Sequence, residues 1–187
     1  MWHIKPFHDD LHLQGLVANL MDGKGIKGFI ETGTFRGDTL RWMARRWPKI
    51  LMLSCEENPL FAKIAQFRLL GFQNAKVLVG LSDKILPRML RQVEPPVLFW
   101  LDGHTETYSP IIEELRAIKA WGKQGYILID DFQVPQTEFG CNWARLGKPL
   151  NLDFLKENGI DIDGAKFPDY EPRADWRGWM LLRSNIK

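Results

Sequence analysis

The chain has 187 residues, a net charge of +2, and 26% charged against 45% hydrophobic residues. That balance describes a folded globular domain. It excludes a disordered chain and the strong basic bias of a nucleic-acid binder. No apolar run reaches the roughly 18 residues of a membrane span, and the opening MWHIKPFHDD lacks the basic-then-apolar order of a secretion signal. The expectation is one domain over residues 1–187, in the cytoplasm, with neither nucleic acid nor membrane as partner. Cys55 and Cys141 form no metal-type spacing, and Cys55 lies in an apolar run as a small core residue.

Residues 1–24 read as an N-terminal extension. His8 and His12 stand four apart, but no third ligand accompanies them and Asp9-Asp10 reads as a solvated polar stretch, so no metal site is expected there. After it, strand-like apolar runs alternate with helix-period segments. The first run is Ile26 to Thr32. A helix from about Asp38 carries Leu40, Met43, Ala44 and Trp47 at spacings of three and four, and Pro48 ends it. The second run, Ile50 to Cys55, leads through Glu56 to a helix opened by Asn58-Pro59, a cap followed by proline in the first helical position. Leu60, Ile64 and Phe67 mark its expected buried face. The third run is Lys76 to Val79, followed by a short helix from Ser82 in which Pro87 is tolerated only within the first turn.

The fourth run, Val97 to Leu101, ends at Asp102, and Ser109-Pro110 opens the next helix. The fifth, Tyr126 to Ile129, ends at Asp130-Asp131. Residues 132–149 carry two prolines and two glycines and read as a lid-like loop. A helix over Leu152 to Glu157 follows, then two further strand candidates, Ile160 to Phe167 and Trp179 to Arg183. Of eight tryptophans, Trp42, Trp47, Trp100, Trp121 and Trp179 fit core packing, whereas Trp2, Trp143 and Trp176 lie in aperiodic segments and suit a pocket, an interface or a satellite core. The basic residues Arg36, Arg41, Arg45 and Arg46 read as a solvated helix face.

Alternating strands and helices predict an α/β, doubly wound, mostly parallel sheet covered on both faces. Ligands then bind beyond the carboxyl ends of the strands, near the switch in strand order. Glu31, Glu56, Asp102, Asp130 and Asp131 stand at those ends. Turn and cap preferences account for one or two of them, but less well for five in one crevice. The loop after the first strand contains Gly33 and Gly37 but lacks G-x-G-x-x-G and G-K-[ST], and Glu31 would repel a phosphate. An acid there suits a cationic or zwitterionic ligand.

Glu31-Thr-Gly-Thr-Phe-Arg-Gly37 resembles motif I of class I S-adenosylmethionine (SAM)-dependent methyltransferases, in the form E-x-G-x-x-x-G. Leu53 to Pro59 is similar to their second-strand motif, Val97 to His104 to the fourth, and Ile127 to Asp131 to the fifth. The resemblance covers about residues 26–132 and is nearest to macrocin-type sugar O-methyltransferases and related small-molecule O-methyltransferases. It implies a Rossmann-like sheet of seven strands with an antiparallel last strand. It also implies SAM as cofactor and a small hydroxylated molecule as substrate.

Carried over residue by residue, Glu31 reaches the methionine amino end, and Gly33 leaves room for the cofactor. Thr34, Phe35 and Gly37 belong to the same cofactor loop. Glu56 holds the ribose, with Glu57 as its rival turned away by strand alternation, and Ser82 sits near the adenine. Leu81 departs from the family, which often has an acid there. In metal-dependent relatives, carboxylates after strands four and five bind Mg²⁺, which maps onto Asp102, Asp130 and Asp131. The other reading of Asp130-Asp131 is a turn and cap beside a metal-free site.

His104 is a candidate general base, with a hydrogen-bonded structural role as the alternative, and Asp102 acts beside it; Tyr108 suits either the pocket wall or packing under the helix start. Phe139, Trp143 and Arg145 are candidates either to stack on or pair with the substrate or to pack the loop onto the body. A noncatalytic SAM-binding member of the fold and a nucleotide-dependent oxidoreductase are the competing readings. A homodimer would let a partner subunit complete the short lid.

Overall fold

The computed structural model describes residues 5–104, 109–141, 143–145, 147–172 and 176–184, with residues 143–145 described by their backbone alone. The strands of the main sheet are β1 (Gly28–Thr32), β2 (Leu51–Glu56), β3 (Ala75–Val79), β4 (Val97–Leu101), β5 (Gly125–Ile129) and, after a small hairpin of β6 (Trp143–Arg145) and β7 (Lys148–Pro149), β8 (Met180–Arg183). The main sheet runs β3-β2-β1-β4-β5-β8. All its pairings are parallel except that of β8 with β5. The helices are α1 (Leu11–Gly23), α2 (Asp38–Arg46), α3 (Pro59–Arg68), α4 (Ser82–Leu90), α5 (Ile111–Trp121) and α6 (Leu152–Glu157).

Strand order reverses between β1 and β4, because β1 starts the outward run to β2 and β3 while β4 starts the run to β5. A crevice forms where the crossovers diverge. Register sets what lines it. Thr32 is level with Cys55 on one side and Leu101 on the other, and Leu101 is level with Ile129. The residues that follow, Gly33, Glu56, Asp102 and Asp130, therefore emerge along one rim.

Alternation along each strand divides the core between the two faces. Phe29, Met52, Leu98, Trp100 and Leu128 face α1 and α2, whereas Ile30, Leu53, Phe99 and Ile127 face α4, α5 and α6. Glu31 continues the first face and Thr32 the second. Asn58 caps α3 as its sequence predicts, accepting from the backbone N–H of Leu60 and Phe61. Pro110 takes the N-cap position of α5 rather than its first turn. Pro87 lies past the first turn of α4, in a helix held by the buried Leu86, Met89 and Leu90.

The structure departs from the sequence reading at several further points. The sheet has six strands, not seven: Ile160 to Phe167 meets β8 only at the bridge Lys166–Leu181, since Asp161, Asp163 and the left-handed Gly164 break a regular ladder. The buried face of α3 is Ala62 and Ala65, while Leu60 and Phe67 are exposed. A Cβ on Gly37 would stand 3.1 Å from that of Ala65, so α3 packs too closely for large side chains. Residues 11–23 form a full helix, α1, which buries Leu13, Val17, Leu20 and Met21. Finally, Asp10 is buried rather than solvated. It accepts from the N–H groups of His12 and Leu13 at 2.9 and 3.0 Å and from the Tyr170 hydroxyl at 2.5 Å.

Among the described residues, no helix is long and apolar enough to cross a membrane. Replacing Asp10 by Ala removes both the cap of α1 and the acceptor of Tyr170, and it should lower the unfolding free energy by about 1–2 kcal/mol. Asp10→Asn keeps an acceptor and should lose less. Denaturant unfolding of the two variants checks this.

Candidate active site

The crevice is built outward from β1. Glu31 is 2% exposed, and its register partner on β2, Ser54, donates a 2.5 Å hydrogen bond to it. The Ser54 hydroxyl also meets that of Thr34 at 2.5 Å. Burial, with smaller contributions from the charges of Glu56 and Asp38, outweighs the Ser54 hydrogen bond and pushes the Glu31 carboxyl up to about 8. Gly33 follows in a left-handed conformation, φ 82°, and a Cβ there would stand 2.1 Å from the Asp102 carbonyl oxygen. No other residue fits that crossing of backbones.

The chain then turns through Phe35, also left-handed, and its N–H donates at 2.7 Å to one oxygen of Glu56. The other Glu56 oxygen accepts from the Asn58 N–H at 2.9 Å. Two backbone donors fix this carboxylate while its remaining lone pairs stay available. Glu57, the next residue, is exposed.

Two adjoining cavities share His8, Gly33, Phe35 and Asp102 in their walls. The first, about 560 Å³, is closed by Glu31, Thr34, Asp38 and Thr39 together with Lys5, Arg36 and Arg68. The second, about 370 Å³, runs past Glu56, Phe61, Leu81, Ser82 and His104. Arg68 is held by Asp38 and by the carbonyl of Arg36, at 2.7 Å from the latter. Glu31 and Glu56 thus face one continuous cleft, with positive charge at its far end.

The rim beyond β4 and β5 carries a second cluster. The Nε2 of His8 lies 2.6 Å from Asp130, which is 1% exposed, and 3.9 Å from Asp102. The Nε2 of His104 lies 2.7 Å from Asp131 and 4.0 Å from the other oxygen of Asp102. Arg177 approaches the second oxygen of Asp131 at 3.3 Å. Asp102 stands between the two histidines, beyond hydrogen-bond reach of both.

The negative charge of Asp130 raises His8 to about 10, against the opposing effect of burial. Burial likewise opposes the charge on Asp130, but His8 outweighs it and holds that carboxyl below the usual range. Asp102 is pushed up, first by burial and then by the charge of Asp130. For His104, burial favours the neutral form, but the hydrogen bond and charge of Asp131 prevail and its pKa rises.

The donor sets differ from three aspartates on one ion. Asp102 groups with His8 and Asp130 on one side, and with His104 and Asp131 on the other, each set within 4.8 Å. Oxygen and imidazole donors together fit a divalent cation. The cleft's paired carboxylates and distal cations fit a ligand that bears an ammonium, a ribose and a carboxylate.

The sequence reading placed Glu31, Gly33, Thr34, Phe35, Gly37, Glu56, Ser82, Asp102, His104, Asp130 and Asp131 in one site. The structure brings them along one rim, with Gly37 set back as the N-cap of α2. It adds His8, Lys5, Arg36 and Arg68. Arg36 precedes α2 and lines the cleft rather than joining a solvated face. His12 parts from His8 and stacks on Tyr170 at 4.2 Å. Phe139 and Trp176 are buried with Val134 in a satellite cluster, which is the packing alternative for both. Trp2, Tyr108 and the side chains of Trp143 and Arg145 lie outside the described residues.

Strand order and register give a Rossmann-like α/β fold of the kind found in solved methyltransferase structures. The chain is 27% identical over 146 residues to the O-methyltransferase imqG of Aspergillus flavus, covering 76% of this chain and 55% of that protein. It thus spans about half the length of the curated relative it matches. Among solved structures it is similar to the O-methyltransferase TomG from Streptomyces achromogenes in complex with SAM (TM-score 0.61, 19% identity, 90% of this chain and 76% of that one). It is also similar to cofactor-bound Rv0187 from MTB (TM-score 0.63, 19% identity, 92% and 80%). No family model matches the chain.

The raised pKa of Glu31 has a stability consequence. The folded state holds this proton from pH 4.5 to about 8 while the unfolded chain releases it. The contribution is therefore complete below pH 4.5 and is lost as pH rises through about 8. Glu31→Gln should flatten that part of the stability–pH curve, measured by denaturant unfolding at a series of pH values.

Proposed function

We propose that residues 1–187 act as one methyltransferase domain that transfers the methyl group of SAM to a hydroxyl of a small molecule. The observation that carries this reading is the cleft at the strand-order switch, with buried Glu31 at one end of β1 and backbone-anchored Glu56 at the end of β2. The relatives named as O-methyltransferases support the same reading.

In this reading the methionine part of SAM occupies the larger cavity. Its ammonium meets Glu31 and its carboxylate meets the positive charge of Lys5, Arg36 and Arg68. Glu56 accepts from the ribose hydroxyls. The adenine lies in the second cavity among Phe61, Leu81 and Ser82, an apolar wall that compensates for the missing acid after Gly80. The sulfonium then faces the shared wall of His8 and Asp102, where the acceptor enters.

Transfer makes a bond from the acceptor oxygen to the methyl carbon and breaks the bond from that carbon to sulfur. The hydroxyl proton must go to a base, and sulfur leaves as a neutral thioether. Alignment and exclusion of water supply much of the acceleration. His104, fixed by Asp131 and indirectly by Arg177, receives the proton, and Asp102 holds the hydroxyl beside it. A divalent cation bound at the Asp102 rim would acidify that hydroxyl.

Incubation with isotopically methyl-labelled SAM and a panel of small hydroxylated acceptors should yield methylated product by mass spectrometry. His104→Ala should retain SAM binding and lose about 10²-fold or more in rate. A folded sample that binds neither SAM nor S-adenosylhomocysteine would sink the proposal.

Binding should also be coupled to a proton. At pH 7 the Glu31 carboxyl is protonated, and the incoming ammonium favours its ionisation. Calorimetry in buffers of different ionisation enthalpy should register release of up to about one proton per SAM, and Glu31→Gln should abolish it.

A further inference from the structure

The proposed function leaves one feature without a role, the turn that brings His8 to the rim. Phe7, His8 and Asp9 take φ values of 50°, 56° and 64°, three consecutive left-handed residues of which none is glycine. Such conformations are costly and persist where the surroundings enforce them. Here Phe7 is the anchor. It is 1% exposed and meets Trp100 and Trp42 edge-on at 5.0 and 5.7 Å, and its N–H donates to the Thr39 hydroxyl. The Asp10 N–H closes the turn on the Phe7 carbonyl at 3.0 Å, and Asp10 then caps α1. Anchored on both sides, the turn has little freedom, and its product is an imidazole suspended over Asp102 and Asp130.

We propose that this turn supplies His8 as the nitrogen ligand of a divalent first-row transition-metal ion held with Asp102 and Asp130. The acceptor-side cation of this chain would then be an ion such as Co²⁺, Ni²⁺ or Zn²⁺ rather than Mg²⁺. The inference rests on the reading of the rim as the acceptor site and deepens it by naming the class of ion.

Donor chemistry decides the class. Mg²⁺ takes oxygen ligands and retains water, whereas imidazole suits the later transition metals. Each donor set that the rim forms around Asp102 includes one histidine. Of the two sets, that of His8 is the better placed. Asp131 already has both His104 and Arg177 as partners, and the His104 side chain is only 9% exposed. His8 and Asp102 are 43% and 25% exposed and line both cavities, so a metal there keeps positions open to a substrate oxygen. Two donors on one ion with bonds of about 2.1 Å stand about 3–3.5 Å apart. The His8–Asp130 and His8–Asp102 distances, 2.6 and 3.9 Å, bracket that value.

The test uses the whole chain. Co²⁺ is titrated into the metal-free protein and followed by its visible ligand-field bands, and Mg²⁺ is then added in competition. The wild type should bind Co²⁺ with a spectrum showing a nitrogen ligand, at least about tenfold more tightly than Mg²⁺. His8→Gln should lose about tenfold or more in Co²⁺ affinity and leave Mg²⁺ binding unchanged.

Equal affinity for the two ions in the wild type, or Co²⁺ affinity undiminished in a folded His8→Gln variant, would overturn the inference. The wild-type comparison stands even where the variant does not fold. SAM calorimetry on the same samples keeps the two readings apart. SAM binding without selective Co²⁺ binding removes the metal inference alone. Co²⁺ binding through His8 without SAM binding removes the methyltransferase reading and leaves the ion site standing.

Discussion

The structure depends on a carboxyl group buried where a parallel sheet ends. Glu31 lies level with Ser54, is covered on the α1–α2 face of the sheet, and has no cationic partner among the described residues. Burial, more than the neighbouring charges of Glu56 and Asp38, makes its charged form unfavourable. A ligand that brings a positive charge to this point stabilises the ionised carboxylate and is rewarded, whereas one that brings a phosphate there gains nothing from it. The same sheet end carries Glu56 and, across the switch in strand order, Asp102 and Asp130. Gly33 lets this happen, because only a residue without Cβ allows the β1 loop to pass the Asp102 carbonyl.

Much of this was legible in the residues. Five strands of the main sheet ended in acids or in a glycine, and regular alternation placed those ends on one side of the molecule. The cap at Asn58-Pro59 and the turn at Gly33 were local signals and were read correctly for local reasons. What escaped depended on distance in the chain. His8 meets Asp130 across 122 positions, and nothing in its neighbours announces that contact. A signal for α1 was present, since Asp10 precedes Leu13, Val17, Leu20 and Met21 at helical spacing, but the pair Asp9-Asp10 gave the segment a solvated look.

The buried face of α3 was misread for an instructive reason. Hydrophobic periodicity favours Leu60, Ile64 and Phe67, but interhelical distance favours Ala62 and Ala65, because Gly37 brings the α2 loop close. Close approach won over apolar area, and Leu60 and Phe67 were left in solvent. The seventh strand failed similarly. Ile160 to Phe167 has alternating apolar residues, but Asp161, Asp163 and Gly164 leave only one bridge to β8. Arg36 and Arg68 were hidden because charge alone does not distinguish a cleft wall from a surface. Their placement follows from Arg68 reaching back across the loop to the Arg36 carbonyl and to Asp38.

Selectivity between nucleosides is the most direct measure of whether the acidic sheet end governs this protein. Equilibrium calorimetry on the wild-type chain with SAM, S-adenosylhomocysteine, ATP and NADH compares ligands that share adenosine and differ in charge. The account requires the two amino-acid nucleosides to bind, with the phosphate-bearing ones at least about a hundredfold weaker, a difference of about 2.7 kcal/mol. Binding of ATP or NADH as tight as that of SAM would contradict it.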